Sequence, residues 1–174
     1  MVNKDPMEIF KEIPGFDGKY EVSNYGNVKN VKRNRMLSPS MGIGGYLRVD
    51  LTTGKDTHKN FRVHTLVAMA FLEHTQQGLA MTVDHIDFDK INNHVDNLQL
   101  ISLRDNSIRT ALNNKSKTSK YLGVHYCLQK KKFVARIIKD GKKHYLGSFK
   151  KEQDAAKAYQ KMELELYGKI TQQI

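Results

Sequence analysis

The sequence lacks the residues that several common classes of protein need. It has one cysteine, Cys127, no tryptophan and three prolines among 174 residues. A single cysteine excludes an intramolecular disulfide framework and every multi-cysteine zinc site. No apolar run approaches the roughly 20 residues of a membrane-spanning helix, and residues 1–10 contain no apolar stretch of signal-peptide length. The sequence therefore predicts a soluble protein of a reducing compartment, with no membrane partner.

Acidic side chains are also in short supply. The chain has 29 Lys and Arg against 18 Asp and Glu, a formal net charge of +11. Such a charge favours a polyanionic partner, because each phosphate that is neutralised releases a counterion; the alternative is a basic protein whose charge only keeps it in solution. The basic residues concentrate between 115 and 151, where Asp140 is the only acid, whereas several acids lie between 84 and 105. This pattern favours a catalytic centre that basic flanks hold on nucleic acid.

Residue periodicity predicts strands and one helix before residue 81. Tyr20 and Val22 alternate with polar residues, 24–27 supplies a turn, and apolar residues resume at 28 and 31. Glycines at 42, 44 and 45 precede a period-2 strand over 46–51. The apolar residues at 63, 66, 67, 70 and 71 share one helix face and predict a helix over 63–71.

The polar stretch 113–120 has almost nothing to bury and predicts a linker. Beyond it, residues 121–125, 132–138 and 144–147 have strand character, with a hairpin turn at Asp140-Gly141. Residues 152–167 predict an amphipathic helix that ends at Gly168. Three antiparallel strands and one helix are enough for a small domain.

The segment 81–112 contains the most informative pattern. A short strand over 81–83 is followed directly by Asp84 and His85, a loop rich in Asp and Asn, and a second strand over 97–101. A helix then begins at Ser102, and its residues Leu103, Ile108 and Leu112 are expected to face inward.

Asp84, His85 and Asn106 suit phosphodiester hydrolysis. Imidazole can take a proton from water at neutral pH, and an adjacent carboxylate can hold Mg²⁺, which prefers few protein oxygens and keeps water and phosphate oxygens. The amide oxygen of Asn106 is a suitable second ligand. A Ca²⁺ loop beginning at Asp87 is excluded, because its sixth position is Asn92 rather than Gly and its twelfth is Leu98 rather than Glu.

Residues 62–106 resemble the HNH (ββα-metal) nucleases, in particular phage-type intron homing endonucleases. The resemblance rests on Asp84-His85, Asn92-Asn93, Asn97-Leu98 and Asn106. It implies that Asp84 and Asn106 bind one divalent ion, Mg²⁺ or Mn²⁺, that His85 is the general base, and that Asn97 holds the loop by hydrogen bonds. His64 and His94 are expected to pack or to contact phosphate rather than to bind metal.

Residues 8–28 resemble a small nuclease-associated module that precedes HNH cores of this group. The resemblance implies that the basic residues after it face DNA: Lys29, Lys32, Arg33, Arg35 and Arg48. The alternative is a β hairpin that only completes the packing of the core.

Residues 119–169 resemble the DNA-binding domain of the ethylene-response (Apetala-type) transcription factors, whose three-stranded sheet lies in the major groove. Strand alternation puts basic and aromatic side chains on the open face of the sheet, namely His125, Arg136, Lys143 and Tyr145. The adjacent Lys130, Lys131 and Lys132 are expected to contact phosphate rather than bases. Ile138 and Cys127 depart from the family pattern, so no target sequence can be carried over; the alternative is a solvated charged face.

Taken together, these patterns predict an α+β protein: a small N-terminal β module (1–60), a ββα-metal core (61–113), a linker (114–120) and a C-terminal three-stranded antiparallel sheet packed on one helix (121–174). The expected function is site-recognising hydrolysis of double-stranded DNA, as a nick or a double-strand cut. We expect a monomer with no obligatory protein partner, in the cytoplasm of a bacterial host and encoded by a phage or mobile element. The alternative is a DNA-binding regulator whose HNH core is inactive.

Overall fold

The computed structural model describes residues 7–54, 57–75, 81–114, 116–168 and 170–171. The chain divides into two compact units, residues 1–103 and 104–174. In the described ranges, no helix is long and apolar enough to cross a membrane.

The described residues of the first unit form three antiparallel sheets, one α-helix and a 3-10 helix at Val95–Asn97. The four-stranded sheet contains β1 (Phe10–Glu12), β2 (Tyr20–Ser23), β3 (Val28–Asn30) and β4 (Arg35–Leu37), in that order. The three-stranded sheet contains β5 (Ser40–Met41), β6 (Leu47–Gly54) and β7 (Thr57–Arg62), and leads into helix α1 (Val63–Phe71). A two-stranded sheet follows, made of β8 (Met81–His85) and β9 (Leu98–Ser102).

One hydrophobic core holds the first unit together. It includes Val22 of β2, Leu51 of β6, Leu66 of α1 and Leu98 of β9, all at most 5% exposed. The residues of the predicted N-terminal module and of the predicted nuclease core therefore share a single apolar interior. Because burial of this apolar surface is the main stabilising term, the two parts are expected to fold together.

The helix over 63–71 has the predicted limits, but four strands were missed. Residues Thr57–Arg62 form β7 although five of their six side chains are exposed, and β1, β4 and β5 are two or three residues long. A strand that buries almost nothing has no period-2 apolar signal, so periodicity could not find it.

The second unit contains a three-stranded antiparallel sheet and two helices. The strands are β10 (Val124–Cys127), β11 (Lys132–Lys139) and β12 (Lys142–Phe149), and the helices are α2 (Leu103–Asn113) and α3 (Glu152–Tyr167). Ala155, Ala156 and Tyr159 of α3 are buried against the sheet. The helix ends at Gly168, whose φ of 64° is the left-handed conformation that favours glycine.

Helix α2 packs within the second unit. Ile108 and Leu112 contact a cluster of Leu122, Ile137 and Tyr159. Leu103 was expected to face inward, but it is 56% exposed, so this prediction is wrong. The helix uses only the apolar side chains that lie beside the C-terminal sheet and α3.

The end of the predicted linker is folded into the second unit. Ser119 is 4% exposed, and its Oγ donates a hydrogen bond to Oε1 of Glu152 over 2.7 Å. The backbone N–H of Lys120 donates to the same oxygen over 3.2 Å. The predicted limits at 60, 113 and 120 do not coincide with the division at 103, and as functional modules they stay predictions.

Candidate active site

The β8–β9 hairpin positions the candidate catalytic residues. Its antiparallel register pairs His85 with Leu98 and Asp84 with Gln99. Since side chains alternate along a strand, Asp84 and His85 point to opposite faces of the hairpin. His85 is buried, at 4% exposure, whereas Asp84 is only partly buried.

A hydrogen bond with Asn93 orients the imidazole of His85. Asn93 Nδ2 donates to the carbonyl of Ile91 over 3.1 Å, which leaves Oδ1 facing His85 Nε2 at 3.3 Å. Because Oδ1 can only accept, Nε2–H is the donor of this pair, and Nδ1 is the ring atom that can accept a proton. Asn93 is itself 4% exposed, so the pair is shielded from solvent.

Asn97 links the two ends of the loop between β8 and β9. Its Nδ2 donates to Asp87 Oδ1 over 2.9 Å and to the carbonyl of Asn92 over 2.8 Å, and its Oδ1 accepts the N–H of Asp87 over 3.1 Å. Hydrogen bonds from Asn92 and Asn97 lower the pKa of Asp87 and keep it ionised. These contacts are those expected of a loop-holding residue.

The Asp84 carboxylate suits a weakly coordinated hard cation. The described residues contain no group of three or more His, Cys, Asp or Glu side chains that could hold a metal ion. Asp84 offers a carboxylate, and Gln99 Nε2 donates to its Oδ2 over 2.9 Å. A single carboxylate with an outer hydrogen bond suits Mg²⁺ or Mn²⁺, which keep water and substrate oxygens as their other ligands.

Asn106 lies in the beginning of α2, within the second unit. Asp84 belongs to the first unit. The assignment of Asn106 as a second ligand therefore rests on the sequence pattern.

Two aromatic side chains, which the sequence did not predict, lie beside His85. The ring of His64, from α1, is 4.9 Å from the His85 ring in an edge-on arrangement. The ring of Tyr46 is 4.9 Å from His64 and 6.0 Å from His85. His64 was expected to pack or to contact phosphate, and its burial at 4% exposure bears out packing.

His64 is held neutral in this cluster. Burial, together with the charges of His85, Arg62 and His74, lowers its pKa to about 3. Its Nδ1 is buried and has no hydrogen-bond partner among the residues that the structure describes. A neutral ring at this position adds no charge next to the candidate base.

The turn between β2 and β3 supports the site from the N-terminal side. A Cβ on Gly26 would lie 2.8 Å from Cβ of Asn93 and 3.1 Å from Cγ1 of Val63, and Gly26 has a φ of +88°. The N–H of Val95 also donates to the carbonyl of Asn24 over 2.8 Å. Only glycine can adopt this φ while its backbone lies so close to Asn93 and Val63. The turn therefore packs directly against the loop that contains Asn93.

The predicted DNA-contacting residues of the N-terminal module lie in two different sheets. Lys29, Lys32, Arg33 and Arg35 belong to β3, β4 and the turn between them. Arg48 lies in β6 and is partly buried; its Nη1 donates to Oδ1 of Asn60 over 3.2 Å. The first four therefore form a group, and Arg48 is apart from it.

The register of β10–β12 places the predicted C-terminal contacts on one face. Arg136 pairs with Tyr145, Ile138 with Lys143, and His125 with Val134. Directly paired residues share a face, so His125, Arg136, Lys143 and Tyr145 lie together, opposite the face that Ala135 and Ile137 bury. Lys130, Lys131 and Lys132 are exposed, and Lys130 Nζ lies 5.3 Å from the Tyr145 ring.

Comparison with known proteins finds similarity to a motif and to several endonucleases. Residues 8–52 match the NUMOD4 motif. The DNA endonuclease I-HmuI of Bacillus phage SP01 is 39% identical over 97 residues, which are 56% of this chain and 54% of that protein. The chain is similar to HNH homing endonucleases.

Other HNH relatives extend the similarity. The H-N-H endonuclease F-TflII of Escherichia phage T5 is 32% identical over 61% of this chain and 54% of its own length. An uncharacterised HNH endonuclease of Acanthamoeba polyphaga mimivirus is 38% identical over 62% of this chain and 27% of its own length. The chain thus spans about half or less of the length of these relatives.

A solved structure of an HNH homing endonuclease has a similar fold. The structure, on DNA binding and cleavage by I-HmuI, matches with a TM-score of 0.51 and 25% identity. The match covers 92% of this chain and 83% of the I-HmuI chain. It therefore extends over both units of the chain.

Proposed function

We propose that this protein is a site-recognising endonuclease that hydrolyses phosphodiester bonds of double-stranded DNA. The observation that carries the proposal is the buried His85, which Asn93 orients and which directly follows a partly buried carboxylate on the same strand. The resemblance to HNH homing endonucleases supports the same substrate and reaction.

His85 acts as the general base. Its Nδ1 takes a proton from a water molecule, the water oxygen forms a bond to phosphorus, and the ester phosphorus–oxygen bond breaks. The leaving oxygen gains a proton from solvent, so the products are a phosphate monoester and a free hydroxyl. The hydrogen bond to Asn93 selects the tautomer in which Nε2 carries the proton of the neutral ring, which leaves Nδ1 as the accepting nitrogen.

One divalent ion, Mg²⁺ or Mn²⁺, would be held by Asp84 and Asn106. It would stabilise the negative charge that develops on the phosphate and leaving oxygens. Gln99 fixes the orientation of the Asp84 carboxylate by donating to Oδ2.

We further propose that the β10–β12 sheet is a DNA-binding domain of the ethylene-response type. The open face presents Arg136, Lys143 and Tyr145 while α3 covers the other face. The cationic group at Lys29, Lys32, Arg33 and Arg35 is a second contact surface. Phosphate contacts at both surfaces would supply affinity, and base contacts would supply the choice of site.

The two metal ligands can be tested in the full-length protein. Asp84→Ala and Asn106→Ala are expected to abolish Mg²⁺-dependent cleavage, whereas duplex binding in EDTA persists, because docking depends on the flanking cationic surfaces. Asp96→Ala is the control. It removes an exposed carboxylate between β8 and β9, and this variant should cleave normally. Loss of binding together with cleavage, in a folded variant, would make the residue a DNA contact instead.

A cleavage assay also distinguishes an endonuclease from a DNA-binding regulator with an inactive HNH core. Native protein is incubated with random-sequence duplex and Mg²⁺, and any new ends are sequenced. Ends at a preferred site support the endonuclease. Binding without any cleavage, in Mg²⁺ and in Mn²⁺, would favour a regulator with an inactive core.

A further inference from the structure

Two exposed cations rest on the ring of Tyr46. The guanidinium carbon of Arg62, the last residue of β7, is 4.9 Å from the ring centroid, and Lys90 Nζ is also 4.9 Å from it. Lys90 Nζ donates a hydrogen bond to the carbonyl of Gly44 over 2.9 Å. Long basic side chains are usually free to rotate, so these contacts restrict where the two charges can be.

Neither cation is neutralised within the described part of the chain. The ion pairs there involve other residues, and none includes Arg62 or Lys90. Two restrained positive charges without a carboxylate partner form a place where an anion is strongly favoured.

Tyr46 connects the two cations with the candidate base. Its ring lies 6.0 Å from the His85 ring and 4.9 Å from the His64 ring, so the three rings form one cluster. Of the charges that lower the pKa of His64, after burial and His85, the next is that of Arg62. The field of this guanidinium therefore reaches His64, whose ring contacts that of His85.

We propose that Arg62 and Lys90, supported by Tyr46, bind the phosphate group that is hydrolysed. Together they form a cationic clamp that holds the phosphorus beside His85. This inference rests on the proposed endonuclease function and assigns it three further residues. The reaction that the clamp serves is the hydrolysis already described, with the proton passing from water to His85.

The clamp has a role that the flanking cations do not have. A phosphodiester carries one negative charge, and more charge develops on its non-bridging oxygens as water attacks. The fork of Arg62 suits two such oxygens, and Lys90 adds a point charge. Because both are restrained before DNA arrives, their interaction with the developing charge needs little reorganisation.

The first test removes each charge in the full-length protein. Arg62→Gln and Lys90→Gln are each expected to lower the single-turnover cleavage rate by about 10²-fold, the usual effect of losing one electrostatic donor in an active site. Binding in EDTA should change by less than about 3-fold, since one phosphate contact is a small part of the total affinity.

Lys59→Gln is the matched control for Arg62→Gln. Lys59 lies on the same strand, is exposed and makes no contact with Tyr46. This variant removes the same charge and should cleave at nearly the native rate. Arg62→Lys should recover part of the rate that Arg62→Gln loses, because it restores the charge but not the fork.

The second test changes Tyr46, whose ring contacts both cations. Tyr46→Leu should lose most of the effect of both cations, and Tyr46→Phe, which keeps an aromatic face under them, should cleave clearly faster than Tyr46→Leu. Thermal unfolding of each variant checks that the fold persists.

The outcomes separate the clamp from the endonuclease function. If the native protein cleaves and the Arg62 and Lys90 variants cleave at the native rate, the clamp is wrong and the endonuclease proposal stands. Equal losses of binding and cleavage would make both residues docking contacts and would also overturn the clamp. Absence of cleavage by the native protein would overturn both proposals.

Discussion

At the scale of single residues, general-base catalysis by His85 requires that one particular ring nitrogen can accept a proton. Asn93 selects that nitrogen, because its own hydrogen bond to Ile91 leaves an acceptor oxygen facing His85 Nε2. A buried imidazole without such a partner could rotate or adopt the other tautomer, and the proton-accepting atom would then point away from the water.

Replacing Asn93 should therefore affect chemistry more than binding. Asn93→Ala is expected to lower the single-turnover cleavage rate by about 10- to 100-fold, as is usual when an outer hydrogen-bond partner is removed. Duplex affinity should stay close to native. Asn93→Asp keeps an acceptor oxygen and should recover part of the rate; a rate as low as that of the alanine variant would show that the acceptor is not what matters.

His64 predicts how stability depends on pH. Burial, with the neighbouring charges, lowers its folded-state pKa to about 3, while an unfolded chain has a histidine pKa of about 6.5. The unfolded state then binds a proton that the folded state does not. The stabilising contribution is complete above about pH 6.5 and is lost as pH falls from 6.5 towards 3.

The measurement is urea unfolding at pH 7 and pH 5, for the native protein and His64→Phe. From pH 7 to pH 5, the free energy of unfolding of the native protein should fall by about 2 kcal/mol more than that of the variant. Phenylalanine keeps a ring beside His85 but cannot be protonated. Parallel losses in both proteins would show that His64 does not titrate in this way.

At the scale of elements, a buried ion pair joins α2 to α3. Arg104 Nη2 donates to Oε1 of Glu163 over 2.6 Å, and Thr171 donates to both carboxylate oxygens. Glu163 is fully buried, and the Arg104 guanidinium lies 4.0 Å from the ring centroid of Tyr167. Arg104 precedes the proposed ligand Asn106 by two residues.

Breaking this pair should destabilise the second unit strongly. Glu163→Ala removes the 2.6 Å ion pair of the partly buried Arg104 and leaves only the longer contact of its Nη1 with Asp105 at 3.9 Å. The expected loss is about 3 kcal/mol of unfolding free energy. Glu165→Ala, which removes an exposed acid from the same helix, is the control and should change stability by less than about 0.5 kcal/mol. Equal urea midpoints for the two variants would contradict this role.

Sequence periodicity was a good guide to the elements that bury one face. The limits of α1 and α3 are those predicted, and β8 brings Asp84 and His85 to the end of a strand as expected. Exposed strands such as β7 left no signal. The contacts of His85 with Asn93, His64 and Tyr46 could not be predicted either, because they join positions up to 39 residues apart that no local pattern relates.

The packing of α2 shows the same limit. The capping pattern at Ser102 predicted a helix here, but its packing partners are Leu122, Ile137 and Tyr159, which lie beyond the predicted linker. A chain that ends at Asn114 would therefore leave Ile108 and Leu112 exposed. Point substitutions in the complete chain are the sounder test of the C-terminal sheet.

At the scale of the whole molecule, affinity should come from positive charge spread over both units. The net charge of +11 and the exposed basic side chains predict an affinity for DNA that falls as the salt concentration rises, because the release of counterions from DNA is then less favourable. Site choice needs additional contacts with base edges.

Arg136→Gln and Lys143→Gln distinguish these two contributions. A phosphate contact weakens binding to all sequences and lowers the log–log salt slope by about 0.9, whereas a base contact is worth roughly 1–3 kcal/mol on the preferred duplex only. Binding to the cleaved duplex and to a shuffled one is measured across a salt series. Lys157→Gln, which removes a charge from the exposed surface of α3, is the control and should change neither the affinity nor the salt slope. If Arg136→Gln and Lys143→Gln also changed neither, the open face of the sheet would not bind DNA.

The central claim is that His85 is the base of a metal-dependent DNA endonuclease. Its most direct test is the single-turnover cleavage rate of native protein and His85→Ala on the same duplex in Mg²⁺, with affinity measured in parallel. Loss of a general base should lower the rate by about 10²–10⁴-fold while binding stays near native. Cleavage by the folded variant at the native rate would contradict the account.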